Sequence, residues 1–228
     1  MLRMDSDSLS GKNAHDQILS AFRRKEADIL IGTQMVAKGH NFPDVTLVGI
    51  VMADSALYLS DFRAAEHAFS LLTQVIGRAG RAEKKGRAVI QTLNPRHNVF
   101  SMAAEQDFKS FFEGEIALRR AFCFPPFCQL AVFTLAHETE TLLRMGTKKM
   151  SDTLQDALQN RFPDVKMIVY GPFDAPIYKM KNVFRKRFII KFKNNARARA
   201  LFRYLLETMN DSDRYAVRIT VDIGPGMI

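Results

Sequence analysis

The chain has 228 residues, of which 47% are hydrophobic and 18 are Phe, so it is long enough to fold as one large or two small domains. Its net charge of +9 favours a polyanionic partner, and its two Cys are too few for a disulfide framework or a four-ligand zinc site. The low Cys count favours a reduced, cytoplasmic setting. No apolar run reaches the roughly 18 residues that span a bilayer, and the N-terminus lacks the apolar core of a signal peptide, so we expect no membrane partner.

Helical and strand-like segments alternate through residues 1–97. Short apolar runs predict buried parallel strands at 27–31, 45–53 and 86–93. Apolar residues at helical spacing predict helices at 13–24 and 61–76. Asp61 is the expected N-cap of the second helix, and residues 54–60 the expected loop before it. The alternation favours an α/β fold with a doubly wound parallel sheet.

Residues 98–128 are predicted to form a helical connector. A Phe-rich helix is expected over 100–121, followed by a stiff extended link at Phe124-Pro125-Pro126-Phe127, because proline fixes φ and restricts its predecessor. Beyond it, the predicted strands are at 130–136, 165–170, 183–193 and 215–223, and the predicted helices at 139–161 and 196–209. This β-α-β-β-α-β order predicts an α+β domain over 129–228, with two helices on one face of a four-stranded antiparallel sheet.

A pair of arginines carries the most specific chemical signal. The run Gln74-Val75-Ile76-Gly77-Arg78-Ala79-Gly80-Arg81 matches the sixth motif of superfamily-2 helicases, in which a second RecA-like lobe presents two arginines to ATP held by the first lobe. A permanently charged, planar guanidinium suits this task because it can clamp the γ-phosphate oxygens bidentately. Upstream, an apolar strand followed by Gly32-Thr33 and Lys38-Gly39 resembles motif five.

The resemblance extends to one family, over essentially the whole chain. Its further matching stretches are Gly32-Thr33-Gln34-Met35, Lys38-Gly39-His40, Phe42-Pro43, Asp61-Phe62-Arg63-Ala64-Ala65-Glu66, Phe124-Pro125-Pro126-Phe127, Gly171-Pro172 and Val221-Asp222-Ile223-Gly224-Pro225. With these, the chain resembles the C-terminal part of the PriA family of bacterial primosomal replication-restart helicases (primosomal protein N′). The resemblance implies a partial RecA-like lobe with motifs five and six in 1–97, then the α+β domain. It also implies an ATP-dependent 3′-to-5′ DNA helicase that restarts stalled forks and assembles the primosome.

Site roles follow from the resemblance, residue by residue. Arg81 and Arg78 would act on the ATP phosphates, with Arg81 as the arginine finger. The nucleotide-binding residues would be Gln74, Gly39 and Asn41. The nucleic-acid contacts in the lobe would be Thr33, Gln34 and Lys38, with the nucleotide as the alternative ligand of Lys38. Related helicases usually carry aspartate where Asn41 stands, so its ribose contact would lose a charge.

Some expected parts of such a helicase are not found in this sequence. It has no Gly-x-x-x-x-Gly-Lys-Ser/Thr phosphate loop and no Asp-Glu-x-His strand end. The resemblance therefore places ATP and Mg²⁺ mainly in a first lobe that this fragment lacks. Zinc is expected in the intact family member, and this chain has no zinc site. We expect the fragment alone to have no ATPase activity.

The positive charge is concentrated in residues 175–206, which hold ten cations and no acid, so the rest of the chain sums to −1. On a strand, alternation would place one row of cations on the face opposite Phe184, Phe188 and Phe192. This row is Arg185, Arg187, Lys191 and Lys193. It is either a footprint on the DNA backbone or a solvated face that limits edge aggregation. The resemblance adds forked or single-stranded DNA, the single-stranded-DNA-binding protein and other primosome proteins as partners.

Two alternatives remain open at this point. The chain could be a non-enzymatic nucleic-acid or protein-binding module in which motifs five and six are relics. It could also belong to a RecG-type DNA translocase, although the Gly-Thr-Gln-Met block and the Phe-Pro-Pro-Phe link argue against that family.

Overall fold

A computed structural model describes residues 1–5, 14–33, 42, 44–77, 86–210 and 217–225. The chain divides into two compact units, Met1–Glu115 and Ile116–Ile228. We describe each unit by itself.

The first unit contains two small parallel sheets. Strand β1 (Leu2–Met4) pairs with β2 (Leu30–Gly32), and helix α1 (Ala14–Arg23) connects them. Strand β3 (Leu47–Ile50) pairs with β4 (Arg87–Ile90). The sequence did not predict β1, because only three residues pair and the flanking sequence is polar. Met4, the last residue of β1, is completely buried.

Three helices form the core of this unit. Helix α2 (Ala64–Ile76) packs with α3 (Asn98–Glu105), while α4 (Phe108–Ala121) begins in this unit and ends in the second. The Phe69 ring of α2 stacks on Phe111 of α4, with centroids 4.2 Å apart. Each buried aromatic ring removes a large apolar area from water, so the contact between Phe69 and Phe111 stabilises the unit.

The single helix predicted over 100–121 is wrong, because the chain breaks between α3 and α4. Gln106 adopts a left-handed conformation, with φ of 54°. Asp107 then accepts a hydrogen bond from the Ser110 N–H at 3.1 Å, satisfying a free donor of the next helix start. Hydrogen bonds from the Ser110 hydroxyl and from the Ser110 N–H lower the pKa of the Asp107 carboxyl group.

The prediction that Asp61 is the N-cap of its helix is also wrong. Helix α2 begins at Ala64, and Arg63 occupies the N-cap position. The Asp61 carboxylate instead binds the Arg63 guanidinium through Nε and Nη2, both at 2.9 Å, and accepts the Arg63 N–H at 2.8 Å. This bidentate pair raises the pKa of Arg63 and fixes the turn that leads into α2.

The second unit contains one antiparallel sheet and two helices. Its elements in chain order are β5 (Gln129–His137), α5 (Glu140–Asp156), β6 (Met167–Met180), β7 (Val183–Phe192), α6 (Ala196–Asn210) and β8 (Arg218–Ile223). A short π-helical segment, Ala157–Arg161, continues α5. The strand order is β6-β7-β5-β8, with every neighbouring pair antiparallel.

Both helices of this unit pack on the same face of the sheet. That face consists of alternate residues of the two central strands, Ala131, Phe133 and Leu135 on β5 and Phe188, Ile190 and Phe192 on β7. Phe202 of α6 contacts Phe133 and Phe192 edge-on, at centroid distances of 5.1 and 4.9 Å. The helices therefore cover one face. We call the opposite face the open face because Tyr170 and Phe173 at its β6 edge are exposed, while Leu130, Val132 and Lys191 on the same face are buried.

Two details of this unit differ from the prediction. Strand β6 does not end at Gly171-Pro172 but continues to Met180, with register shifts after Tyr170 and Asp174. Proline is tolerated there because β6 is an edge strand and needs no N–H on its outer side. The predicted extended link is instead a turn, in which the Phe127 N–H donates to Phe124 O at 3.0 Å.

Candidate nucleic-acid interface

Helix α2 leads directly into the arginine motif. Gln74 lies in its last turn, where its side-chain amide donates to the Ser70 hydroxyl at 3.1 Å. Gly77 follows as the C-cap, and its N–H donates to Thr73 O at 3.0 Å. Arg78 and Arg81 lie outside the described residues, so their roles stay predictions.

The motif-five residues begin at the end of β2. Thr33 is exposed directly after the strand, and its N–H donates to Met4 O at 3.4 Å. The bond to β1 holds Thr33 at the carboxyl end of a parallel strand pair, the edge at which open α/β sheets usually bind ligands. The other four predicted residues, Gln34, Lys38, Gly39 and Asn41, lie outside the described residues.

Asp54 is a buried carboxylate at the corresponding end of β3 and β4. It accepts the Thr92 hydroxyl at 2.7 Å and the Leu93 N–H at 2.9 Å. These two bonds lower its pKa, against the opposing effect of burial. The carboxylate thereby links the segments that follow the two strands, a structural role that the sequence did not reveal.

The row of cations on β7 lies on the open face, opposite Phe188 and Phe192, as alternation predicted. Arg185 and Arg187 are half-buried there. The Nε of Arg187 is buried and has no hydrogen-bond partner among the described residues. Partial burial also lowers the pKa of its guanidinium. Lys193 is exposed just beyond the end of the strand.

Lys191 differs from its neighbours because it is only 6% exposed. Its ammonium donates to Phe122 O at 2.6 Å and lies over the Phe124 ring, 3.6 Å from the centroid. The prediction that Lys191 belongs to a solvent-facing row of cations is therefore wrong. The reason is tertiary: the segment that precedes β5 folds over this end of the sheet and takes up the charge.

Two aromatic side chains share the open face, and sequence reasoning overlooked both. Tyr170 and Phe173 on β6 pair across the ladder with Ile189 and Arg187. The two residues are 41% and 42% exposed. The predicted end of the strand at Tyr170 excluded Phe173 from the sheet, and only the pairing register shows which face each ring occupies.

We searched the described part of the chain for a metal-binding cluster and for a membrane-spanning helix, and found neither. It contains no group of three or more His, Cys, Asp or Glu side chains arranged to hold a metal ion. Cys123 and Cys128 are free thiols, and burial raises the pKa of Cys128. None of the described helices is both long and apolar enough to cross a bilayer.

Comparison with known proteins gives two family matches in succession. Residues 3–83 match the helicase conserved C-terminal domain, and residues 120–225 match the primosomal protein N C-terminal domain. The replication restart protein PriA of Bacillus subtilis is 41% identical over 229 aligned residues, which cover 100% of this chain and 28% of that protein. The chain is similar to the C-terminal part of PriA proteins.

Other PriA relatives agree with this assignment. PriA of Treponema pallidum is 47% identical over 83% of this chain and 28% of its own length, and that of Chlamydia trachomatis is 36% identical over 98% of this chain and 29% of its own length. The chain thus spans less than a third of the curated relatives it matches. These relatives favour the replication-restart assignment over the RecG-type and non-enzymatic alternatives.

Solved structures add no functional argument. The de novo designed protein Foldit4 covers 43% of this chain and 97% of its own, with a TM-score of 0.32 and 11% identity. A similarity that distant carries no conclusion about this chain.

Proposed function

We propose that this chain forms the second helicase lobe and the C-terminal domain of an ATP-dependent 3′-to-5′ DNA helicase that restarts stalled replication forks and assembles the primosome. The observation that carries the proposal is the succession of a helicase C-terminal domain and a primosomal C-terminal domain along one chain. We retain the division into a RecA-like part at 1–97, a helical connector at 98–128 and an α+β domain at 129–228.

In this proposal the first unit completes an ATP site whose other half, with Mg²⁺, lies in a separate lobe. Helix α2 carries Gln74 and leads to Arg78 and Arg81, which stabilise charge on the γ-phosphoryl oxygens. The motif-five residues divide between two ligands, with Gly39 and Asn41 at the nucleotide. The proposed contacts to the DNA backbone are Thr33, Gln34 and Lys38.

The second unit contributes a DNA contact in the same proposal. Arg185, Arg187 and Lys193 supply positive charge on or beside β7, where phosphate contacts would release counterions. Lys191 is omitted because its ammonium is bound to Phe122 O within the unit. Forked DNA, the single-stranded-DNA-binding protein and other primosome proteins are the proposed partners.

DNA-stimulated ATP hydrolysis tests the catalytic part. We would join the chain to a PriA first lobe that carries the phosphate loop, and compare the parent with Arg81→Ala. The expected result is a loss of roughly 10³-fold or more in the hydrolysis rate with ATP binding largely kept, because the arginine acts on the transition state.

Arg96→Ala is the matched control, since Arg96 is exposed and lies outside the motif. Its rate should equal that of the parent. An undiminished rate in Arg81→Ala would remove Arg81 from the mechanism. Robust ATPase activity of the unjoined chain would contradict the proposal that the phosphates are held elsewhere.

A further inference from the structure

The open face of the second unit brings together rings and arginines from different strands. Across an antiparallel ladder, directly opposed residues point to the same side of the sheet. Tyr170 on β6, Ile189 on β7 and Val132 on β5 form one such row. The next row contains Phe173, Arg187 and Thr134.

The two rings are placed to receive flat ligands. Their partners Ile189 and Arg187 are two residues apart on β7, so the two rows are separated by about 6.6 Å along that strand. A register shift separates Tyr170 from Phe173 on β6. Both residues are about two-fifths exposed. The Lys191 ammonium lies 5.4 Å from the centroid of the Tyr170 ring, close enough for a cation–π contact within the unit. Two exposed rings at this spacing can each take one planar group.

Arg187 supplies a charge between these rings and the middle of the sheet. Its Nε is buried and has no hydrogen-bond partner among the described residues, which is an unfavourable state for a guanidinium. An anionic oxygen is the group that would satisfy it best.

The wider face has an excess of positive charge. Arg185 on β7 and Arg218 on β8 both pair with Ala136 and therefore lie on the same side as Arg187. Asp222, opposite Val132, is the carboxylate on this face in the described part of the chain. Three arginines against one aspartate, beside two exposed rings, favour a polyanion with aromatic groups.

We propose that this open face binds an unpaired DNA strand, with successive bases on Tyr170 and Phe173 and a phosphate on Arg187. This rests on the proposed function, because it assumes that the chain contacts DNA, and it specifies which form of DNA this surface takes. Bases within a duplex are already stacked on each other and cannot lie flat on a sheet. A strand with free bases can use stacking and charge together.

Fluorescence anisotropy with the full chain tests the proposal. A labelled oligo-dT and a duplex of the same length are compared across a salt series, with the variants Tyr170→Leu, Phe173→Leu and Arg187→Gln. Each ring variant should weaken oligo-dT binding about tenfold, the usual effect of losing one base–ring stack. Duplex binding should remain within about twofold of the parent. Arg187→Gln should also lower the salt slope by about one.

The neighbouring residues on the other face provide matched controls. Tyr178 contacts Phe184, and Lys186 binds Asp174 at 2.6 Å, so both belong to the helix side of β6 and β7. Tyr178→Leu and Lys186→Gln should leave oligo-dT affinity unchanged. Tyr170→Phe should keep parent affinity because it keeps the ring. Circular dichroism melting confirms that each variant is folded.

Each remaining outcome is informative. An equal loss of oligo-dT and duplex affinity in the ring variants would overturn the stacking proposal and reduce the face to a phosphate contact. Unchanged affinity in folded ring variants would overturn it too. If the parent chain binds neither DNA at low salt, the DNA contact in the proposed function fails as well, which separates the two failures.

Discussion

The Lys191 ammonium lies 3.6 Å from the centroid of the Phe124 ring and donates a 2.6 Å hydrogen bond to Phe122 O. These contacts tie the segment before β5 to the far end of β7, some seventy residues later in the chain. A lysine that is 6% exposed is tolerated because an oxygen and an aromatic face replace its water. The charge therefore serves the fold of this unit.

The first prediction concerns the stability of this anchor. Lys191→Met keeps the length of the side chain but removes the hydrogen bond and the cation–π contact. We expect the free energy of unfolding to fall by about 2 kcal/mol, measured by urea denaturation. Lys193→Met, two residues away and exposed, should change it by less than about 0.5 kcal/mol. Equal effects from the two variants would contradict the anchoring role.

A second prediction separates bound from available charge on β7. Arg185→Gln should reduce the salt slope of DNA binding by about one, because it removes one phosphate contact. Lys191→Met should leave the slope unchanged, since its ammonium is already bound within the unit. Anisotropy titrations at several salt concentrations measure both. A reduced slope in Lys191→Met would return that lysine to the DNA contacts.

The third prediction uses the two glycines of the second unit with positive φ. A Cβ on Gly171 would lie 2.7 Å from Arg187 O, at a φ of +111°, so Gly171→Ala must disturb the pairing of β6 with β7. We expect a loss of about 3 kcal/mol from strain and lost pairing. Gly224 has a φ of +70° and no neighbour within 4 Å of an added Cβ. Gly224→Ala should therefore cost only about 1 kcal/mol.

Thermal or urea unfolding measures both glycine variants. If Gly171→Ala is no worse than Gly224→Ala, the close approach of β7 does not restrict this position. Gly171→Ala should also weaken oligo-dT binding, because it shifts the strand that carries Tyr170 and Phe173.

A fourth prediction concerns acid stability. The Thr92 hydroxyl and the Leu93 N–H lower the pKa of folded Asp54 below its ordinary 3.8. The ionised carboxylate therefore stabilises the folded chain fully above pH 3.8, and this contribution is lost as the pH falls from there through the lowered folded-state pKa. Asp54→Asn should have a lower free energy of unfolding at neutral pH, and the gap to the parent should close on acidification.

Chemical denaturation at a series of pH values follows this gap. Asp107 and Asp164 also have lowered pKa values and contribute to the acid response of the parent. Because both are present in Asp54→Asn, the difference between the two proteins isolates Asp54. A gap that is independent of pH would show that the carboxylate charge is not involved.

The sequence predicted most helices and strands of the second unit to within a few residues. It also placed Phe188 and Phe192 on the face of β7 opposite Arg185 and Arg187, because side chains of a strand alternate between its two faces. It was less accurate where structure depends on a few local bonds. Apolar periodicity does not reveal three such features: the break at Gln106, the Asp61–Arg63 ion pair and the short strand β1.

The sequence by itself determined the resemblance to PriA proteins, the order of elements in the second unit and the concentration of charge, since these depend on residue types and spacings along the chain. The tertiary structure decided which charges are available. Lys191 and Arg187 lie on the same face of β7. The Lys191 ammonium is nevertheless hydrogen-bonded to Phe122 O, while the Arg187 Nε has no hydrogen-bond partner in the described part of the chain. The physical reason is that desolvation and pairing depend on which distant segment covers a side chain. The alternation of residues along β7 does not predict which of its side chains a distant segment will bury.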